Sequence, residues 1–214
     1  MSETLRTRIS KAAERAATEI DDVQLGLLEQ YLQLLARWNR TISLTAVPLE
    51  NFPEPTLDRL LVEPMLAARF VPSSTTAWYD LGSGGGSPAI PLKILRPRAP
   101  LTMIESKSRK AAFLRETVRS LRLLGADVLE ARFESLGQDH RNSADLLTVR
   151  AVRRDTALRQ TAGALLHPEG RLLAFGARSS TLFWADFAVL ERCDLPGSGD
   201  VLEVLTRQPV GPGP

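Results

Sequence analysis

The spacing of apolar positions changes near residue 77. Before it, apolar residues recur every three or four positions. Asp21-Asp22 precede Leu25, Leu28, Leu32, Leu35 and Trp38, the stripe of an amphipathic helix with an acidic cap. A polar stretch from Asn39 to Pro55 carries Pro48, Pro53 and Pro55 as breakers. Residues 57–70 (LDRLLVEPMLAARF) predict another helix, kinked or restarted at Pro64. From Ala77 short apolar runs alternate with longer amphipathic ones. The predicted strands are Trp78–Leu81, Leu101–Glu105, Val128–Ala131, Asp145–Val149, Arg171–Phe175, about Phe187–Arg192 and Val201–Thr206. Helices are predicted between them at Ala89–Leu95, Arg109–Leu124 and Arg153–Leu166. Strands separated by helices of this length make right-handed βαβ units. The expected fold is therefore α/β, a seven-stranded, mostly parallel Rossmann-like sheet with helices on both faces. It would occupy residues 71–207, with residues 1–70 as an N-terminal helical extension packed on that core. His167-Pro168-Glu169-Gly170 reads as a turn before the fifth strand, which makes His167 a turn residue rather than a catalyst. Residues 208–214 (QPVGPGP) read as a disordered tail.

Composition narrows the classes. The chain has 214 residues, 43% of them apolar, which suits one globular domain. No stretch reaches the roughly 18 unbroken apolar residues of a membrane span. The first residues, Met1 to Arg6, carry charge and lack the apolar core of a signal peptide, so a cytoplasmic location is expected. One cysteine, Cys193, and two histidines, His140 and His167, exclude a disulfide within the chain and argue against a His/Cys metal site. The net charge of +2 is too small to imply nucleic acid, but its distribution is uneven. Lys107, Arg109, Lys110, Arg115, Arg119 and Arg122 face the single acid Glu116 over one segment. Arg150, Arg153, Arg154 and Arg159 face Asp155 over another. These are either solvated helix faces or phosphate-facing surfaces.

The chemistry centres on Trp78-Tyr79-Asp80-Leu81-Gly82-Ser83-Gly84-Gly85-Gly86-Ser87-Pro88, between the first strand and its helix. Glycines there let the backbone turn tightly and approach a ligand. A phosphate-binding P-loop would need Lys-Ser/Thr after the last glycine, where this chain has Ser87-Pro88. A dinucleotide fingerprint would need a third glycine at Ser87. What remains is an acid two places before G-x-G, Asp80, and a second acid closing the next strand, Glu105. This arrangement resembles the S-adenosylmethionine (SAM) site of class I methyltransferases. By that resemblance Glu105 accepts both ribose hydroxyls, and the loop lies against the methionine portion. The alternative for Asp80 and Glu105 is a pair of loop-capping carboxylates.

Several acceptors fit poorly. Attack through a pyrimidine carbon usually needs a cysteine, and Cys193 lies in a late strand. The Asn/Asp-Pro-Pro-aromatic motif of many amine methylases would fall at 147–152, which reads Leu-Thr-Val-Arg-Ala-Val. No carboxylate cluster suggests metal-assisted catechol methylation. A guanine N7 already carries an in-plane lone pair, so its methylation needs alignment more than a base.

Trp38-Asn39 with Ser43-Leu44-Thr45-Ala46, followed by Leu81 to Leu92 (LGSGGGSPAIPL), resembles two motifs of the ribosomal RNA small-subunit methyltransferase G family, W-N-x-x-x-N-L-T-A and G-x-G-x-G-x-P-G-I-P-L. Arg96-Pro97, Phe113-Leu114-Arg115, Ala131-Arg132-Phe133-Glu134 and Arg150-Ala151 match further segments. The resemblance runs from about Leu35 to Phe175. It implies a SAM-dependent enzyme methylating guanine N7 in small-subunit (16S) ribosomal RNA. Carried over by position, Gly82, Gly84, Gly86 and Ser87 would line the cofactor loop with Asp80 and Glu105, and Phe133-Glu134 would hold the adenine, with a core aromatic as the other reading of Phe133. Arg150 would stand in the active site, where a guanidinium can grip a carboxylate or phosphate with two donors. A sheet-end arginine paired with a surface acid is the other reading of Arg150. Lys107, Arg109, Lys110, Arg115, Arg153 and Arg154 would face the RNA, positioning it without reading a base. The chain also departs from the family. R-H-x-x-D-S reads Asp58-Arg59-Leu60-Leu61-Val62-Glu63, Leu-Lys-Gly reads Phe175-Gly176-Ala177, N-L-T has Ser43, and S-R-A-F has Val152. These changes lie on the acceptor side, which leaves open another acceptor or a non-catalytic SAM-binding module.

Overall fold

The computed structural model describes residues 3–136, 140–177, 183–197 and 199–208. The alternating apolar runs become β1 (Trp78–Leu81), β2 (Leu101–Ile104), β3 (Ala126–Leu129), β4 (Ala144–Arg150), β5 (Leu166–Gly176), β6 (Phe187–Asp194) and β7 (Val201–Arg207). They form one seven-stranded sheet in the order β3-β2-β1-β4-β5-β7-β6. β1 pairs in parallel with β2 and β4, β2 with β3, and β4 with β5. β7 runs antiparallel to both β5 and β6. The order reverses between β1 and β4, and both of those strands are covered on two faces. Their interior positions are accordingly mostly buried, including Asp80 and Thr148.

The helices are α1 (Leu5–Arg15), α2 (Asp22–Asn39), α3 (Glu54–Leu57), α4 (Glu63–Ala67), α5 (Ala89–Leu95), α6 (Ser108–Leu121) and α7 (Thr156–Leu165). Asp21 caps α2, its carboxylate accepting from the Gln24 amide at 2.7 Å while the Gln24 side chain accepts from the Asp21 amide at 3.1 Å. That reciprocal box is why the helix starts there. α2 packs across α5 and α6, burying Tyr31, Leu32 and Leu35. One apolar cluster runs from Ile9 on α1 through Phe113 on α6 to Leu202 and Val204 on β7. The N-terminal helices therefore share the core of the sheet. On the other face α7, Trp184 and Phe187 cover Leu147, Val149, Leu172 and Leu205.

Several boundaries differ from the sequence reading. Pro55 does not break a helix but sits in the first turn of α3, where its missing N–H has no helical partner to lose. α6 stops at Leu121 because Arg122 turns left-handed at φ +51°. α7 starts only at Thr156, because the Asp155 carboxylate caps the Leu158 amide at 3.0 Å. β3 ends at Leu129, two residues before the expected Ala131. His167-Pro168-Glu169-Gly170 lies inside β5 rather than before it. Ala144 pairs with Leu166 and Leu146 with Arg171, so these four residues bulge from the ladder. Within them Gly170 is forced, since a Cβ there would sit 2.8 Å from the Ala144 carbonyl. Among the described residues no helix is long and apolar enough to cross a membrane. The expected tail falls outside the described residues from 209 onward.

Candidate cofactor cleft and active site

A cleft of about 340 Å³ opens at the carboxyl ends of β1, β2 and β4. In open α/β sheets this edge, at the reversal of strand order, is where ligands bind. The floor comes from the loop after β1, with Gly82, Ser83, Gly84, Gly85 and Ser87, together with Glu105 and Arg150. The wall comes from the N-terminal layer: Leu35, Leu44 to Val47, Arg59 and Leu60.

The loop's shape rests on two glycines. Gly82 has φ +73°, and a Cβ there would lie 2.7 Å from Val152 Cγ2. Gly84 has φ +52° and faces open space, with nothing nearer to a Cβ than the Gly82 carbonyl at 3.8 Å. Glu105, just past β2, spans the loop. Its Oε2 accepts from the Gly84 amide at 2.9 Å and its Oε1 from the Lys107 amide at 2.8 Å. Each carboxylate oxygen retains a further lone pair, so loop-capping and ribose-binding are compatible roles for this residue.

The N-terminal layer fixes the loop from above. The Tyr31 hydroxyl donates to the Gly85 carbonyl at 2.7 Å, and burial pushes its pKa up. Asn39 Oδ1 accepts from the Leu44 and Thr45 amides at 2.8 and 3.0 Å. That side chain folds the 40–45 turn so that Leu44 to Val47 reach the cleft, while neighbouring Trp38 packs edge-on against Phe113 at 5.9 Å. The Trp-Asn pair thus shapes the cofactor side without touching its chemistry.

Arg150 ends β4 and is nearly buried. Its Nη2 donates to Glu63 Oε2 at 2.6 Å, and its Nη1 donates to the Arg59 carbonyl at 2.6 Å and Ser87 Oγ at 3.0 Å. Its guanidinium lies over Phe175, 4.4 Å from the ring centroid. Desolvation lowers its pKa to about 10, with Glu63 opposing, so it stays charged near neutrality. The acid partner is no surface group: Glu63 is fully buried, and burial raises its pKa against the pull of Arg150 and Arg59. Arg150 Nε is buried with no acceptor among the described residues.

Glu63 and Arg59 escaped sequence reading, which saw in 58–63 only departures from a motif. The carboxylate stands one position after the expected aspartate, and the i,i+4 spacing of Arg59 and Glu63 was the available signal. Arg59 Nη1 lies 3.4 Å from Glu63 Oε2 and 2.7 Å from Asp200 Oδ2 on the β6–β7 turn.

Three of the sequence-assigned groups lie outside the cleft lining. Asp80 does not line the cleft. It is buried beneath the loop, accepting from Thr148 Oγ1 at 2.5 Å, while Thr148 accepts from Trp78 Nε1 at 2.9 Å. Its pKa rises to about 6 through desolvation, with Thr148 and Arg150 pulling it partway back. Gly86 turns away from the cleft, and a Cβ there would strike Ile90 Cδ1 at 2.3 Å, so it serves loop-to-helix packing. Phe133 and Glu134 sit on a 3-10 turn after β3, outside the cleft lining, with Phe133 against the α7 side of the core. Of the basic residues, Lys110 lines the cleft, Arg115 pairs with Glu130 at 3.1 Å, and Arg153 is exposed. Arg154 points inward, with Nη1 bonded to the Ala177 carbonyl at 2.5 Å and 3.4 Å from the buried Glu203, which Arg192 also contacts at 3.0 Å. The Arg154 guanidinium lies beside Gly176, which has no side chain to occupy that space.

The sheet order and the site at its carboxyl edge are those of class I SAM-dependent methyltransferases. A solved SAM dependent methyltransferase from Aquifex aeolicus shares the fold, with a TM-score of 0.57 over 73% of this chain and 94% of that one at 12% identity. The sequence profile of the rRNA small subunit methyltransferase G family matches residues 24–183, and the chain belongs to that family. It is 42% identical over 170 residues to the ribosomal RNA small subunit methyltransferase G of Xanthomonas euvesicatoria, covering 78% of this chain and 76% of the relative. With the protein of that name in Xanthomonas campestris it shares 44% over 149 residues, 69% of this chain and 66% of that one.

Proposed function

We propose that this chain transfers a methyl group from SAM to guanine N7 of small-subunit ribosomal RNA, in the cytoplasm. The observation that carries the reading is the convergence of the open glycine loop, Glu105 and Arg150 on one cleft. The residues suit the cofactor. Glu105 offers two oxygens to a cis-diol, Gly84 leaves room beside it, and the unsatisfied Arg150 Nε–H asks for an acceptor such as a carboxylate. The adenine would lie beyond Glu105 toward Phe133 and Glu134. Held by Glu105, Gly84 and Arg150, SAM would supply an electrophilic sulfonium methyl group, and the N7 lone pair needs no deprotonation to accept it.

The protein's own part is positioning. Glu63 neutralises much of the Arg150 charge, so a cofactor sulfonium is not opposed by a bare guanidinium. Asp80 lies beneath the loop as a fixed dipole or charge, and the apolar wall of Leu35, Leu44 and Leu60 excludes water. No residue is required to remove a proton before attack. Lys107, Arg109, Lys110, Arg115 and Arg153 would hold phosphates around the opening, with Arg154 serving the loop after β4.

The test is methyl transfer from labelled SAM to small subunits, and to naked ribosomal RNA, from a strain lacking the gene, at low salt. Label in a single guanine, sensitive to cleavage at N7-methylated sites, is the expected result. SAM binding without incorporation into either substrate would overturn it.

A further inference from the structure

The chain between α3 and α4 makes a π-helical turn over Asp58–Val62, and Pro64 follows it. The Glu63 amide bonds the Asp58 carbonyl, five residues back. The Arg59 carbonyl thereby loses its α-helical partner. Its π-type partner would be the amide of residue 64, which proline lacks. The Leu60 carbonyl would take the same amide in an α-helix. Both oxygens instead serve the cleft: Arg59 O accepts from Arg150 Nη1 at 2.6 Å and Leu60 O from Ser87 Oγ at 3.3 Å. The same turn sets Glu63 Oε2 against Arg150 Nη2 at 2.6 Å. Helical distortions of this kind tend to occur at functional sites.

We infer that Pro64 is a positioning residue for methyl transfer: by withholding an amide proton it leaves the Arg59 and Leu60 carbonyls to anchor Arg150 and Ser87 at the floor of the cleft. This rests on the reading of Arg150 and Ser87 as cleft residues. A residue with an amide at 64 offers the Leu60 carbonyl a main-chain donor. The turn then relaxes toward a regular helix, rotating Arg59 and Glu63 away from Arg150. The sequence presents Pro64 only as a kink, because the carbonyls it frees act on side chains far along the chain.

Pro64→Ala and Pro64→Val both restore the amide, and valine keeps a branched apolar side chain in this buried position. SAM affinity by calorimetry is expected to fall about fivefold, the worth of one neutral hydrogen bond. The kcat on ribosomal RNA should fall by more, with KM for the RNA unchanged, because the phosphate contacts lie elsewhere. Ser87→Ala tests the route. It removes the same Leu60–Ser87 bond, together with the Arg150–Ser87 bond that the turn positions, so combining it with Pro64→Val should weaken SAM binding little beyond Ser87→Ala alone. Wild-type affinity and turnover in a folded variant, or losses that add with Ser87→Ala, would overturn the inference. Loss of the native circular dichroism spectrum in both variants would do so equally, by making the proline ring a core element. SAM affinity is read without RNA, so failure of the wild-type protein to methylate ribosomal RNA counts against the acceptor and leaves this test standing.

Discussion

Glu63→Gln changes a charge while leaving volume nearly constant, in a place where charge is costly to leave alone. Glu63 is fully buried, with Oε2 2.6 Å from Arg150 Nη2 and 3.4 Å from Arg59 Nη1. Arg150 is itself 6% exposed at its side chain and remains protonated at neutral pH, its pKa being about 10. The variant therefore holds a buried guanidinium without its counter-ion, beside a second one. Removing one partner of a buried pair costs about 3–5 kcal/mol. The lower end applies, since Arg59 keeps Asp200 at 2.7 Å and is 25% exposed. With a urea m-value of about 2 kcal/mol/M, a loss of about 3 kcal/mol moves the unfolding midpoint down by about 1.5 M. The converse follows from the same physics. Glu63→Leu with Arg150→Met removes both charges, and its stability should return to within about 1 kcal/mol of wild type. Urea unfolding followed by tryptophan fluorescence, for Glu63→Gln and for Glu63→Leu, Arg150→Met and their combination, closes the cycle. A midpoint shift under about 0.3 M for Glu63→Gln at unchanged m, or single losses that simply add, would refute the claim that this pair holds the cleft floor.

Gly82→Val puts a β-branched residue at φ +73° with its Cβ 2.7 Å from Val152, and calorimetry should find no SAM binding; near-normal affinity would place the cofactor elsewhere. Asp80 has a folded pKa of about 6 against 3.8, so only well below pH 3.8 do both states hold the proton and is the penalty absent. As pH rises from 4 to 6 the unfolded state releases that proton first, and stability falls by up to about 3 kcal/mol. Asp80→Asn should lack this loss, and urea midpoints at pH 4.5 and 7 check it; a variant-minus-wild-type difference that is flat with pH counts against the burial argument. Lys107→Gln with Arg109→Gln should weaken RNA binding and lower the slope of log affinity against log salt by about one to two, with SAM affinity intact. An unchanged slope in filter-binding titrations would remove these residues from the phosphate surface.

Local pattern was enough for the elements. Alternating runs located every strand, six of them to within two residues at each end and β5 with its first five residues missed, Ala89–Leu95 was legible as a helix, and Asp21 announced α2, because periodicity and capping are written in neighbouring residues. The glycine loop and Glu105 were legible for the same reason: a short loop and the acid ending the next strand meet in any parallel βαβ unit. Long-range geometry decided which of these residues reach the cleft. Asp80 and Gly86 carry the motif's residue types, yet Asp80 is buried against Thr148 and Gly86 faces Ile90, so neither lines the cleft. Nothing local says that Arg154 turns inward to Glu203, 49 residues away, or that Tyr31 holds Gly85 across 54 residues.

The amino-acid order alone therefore determined the sheet, its helices and the composition of the cofactor loop, since each depends on interactions within a few residues or one βαβ unit. Only the folded chain decided which charged groups share a buried space. Arg150 and Glu63 are 87 residues apart in sequence, and each tolerates burial only because the other is there. Whether such a pair closes is set by the packing of the N-terminal layer on the sheet, a property of the whole core.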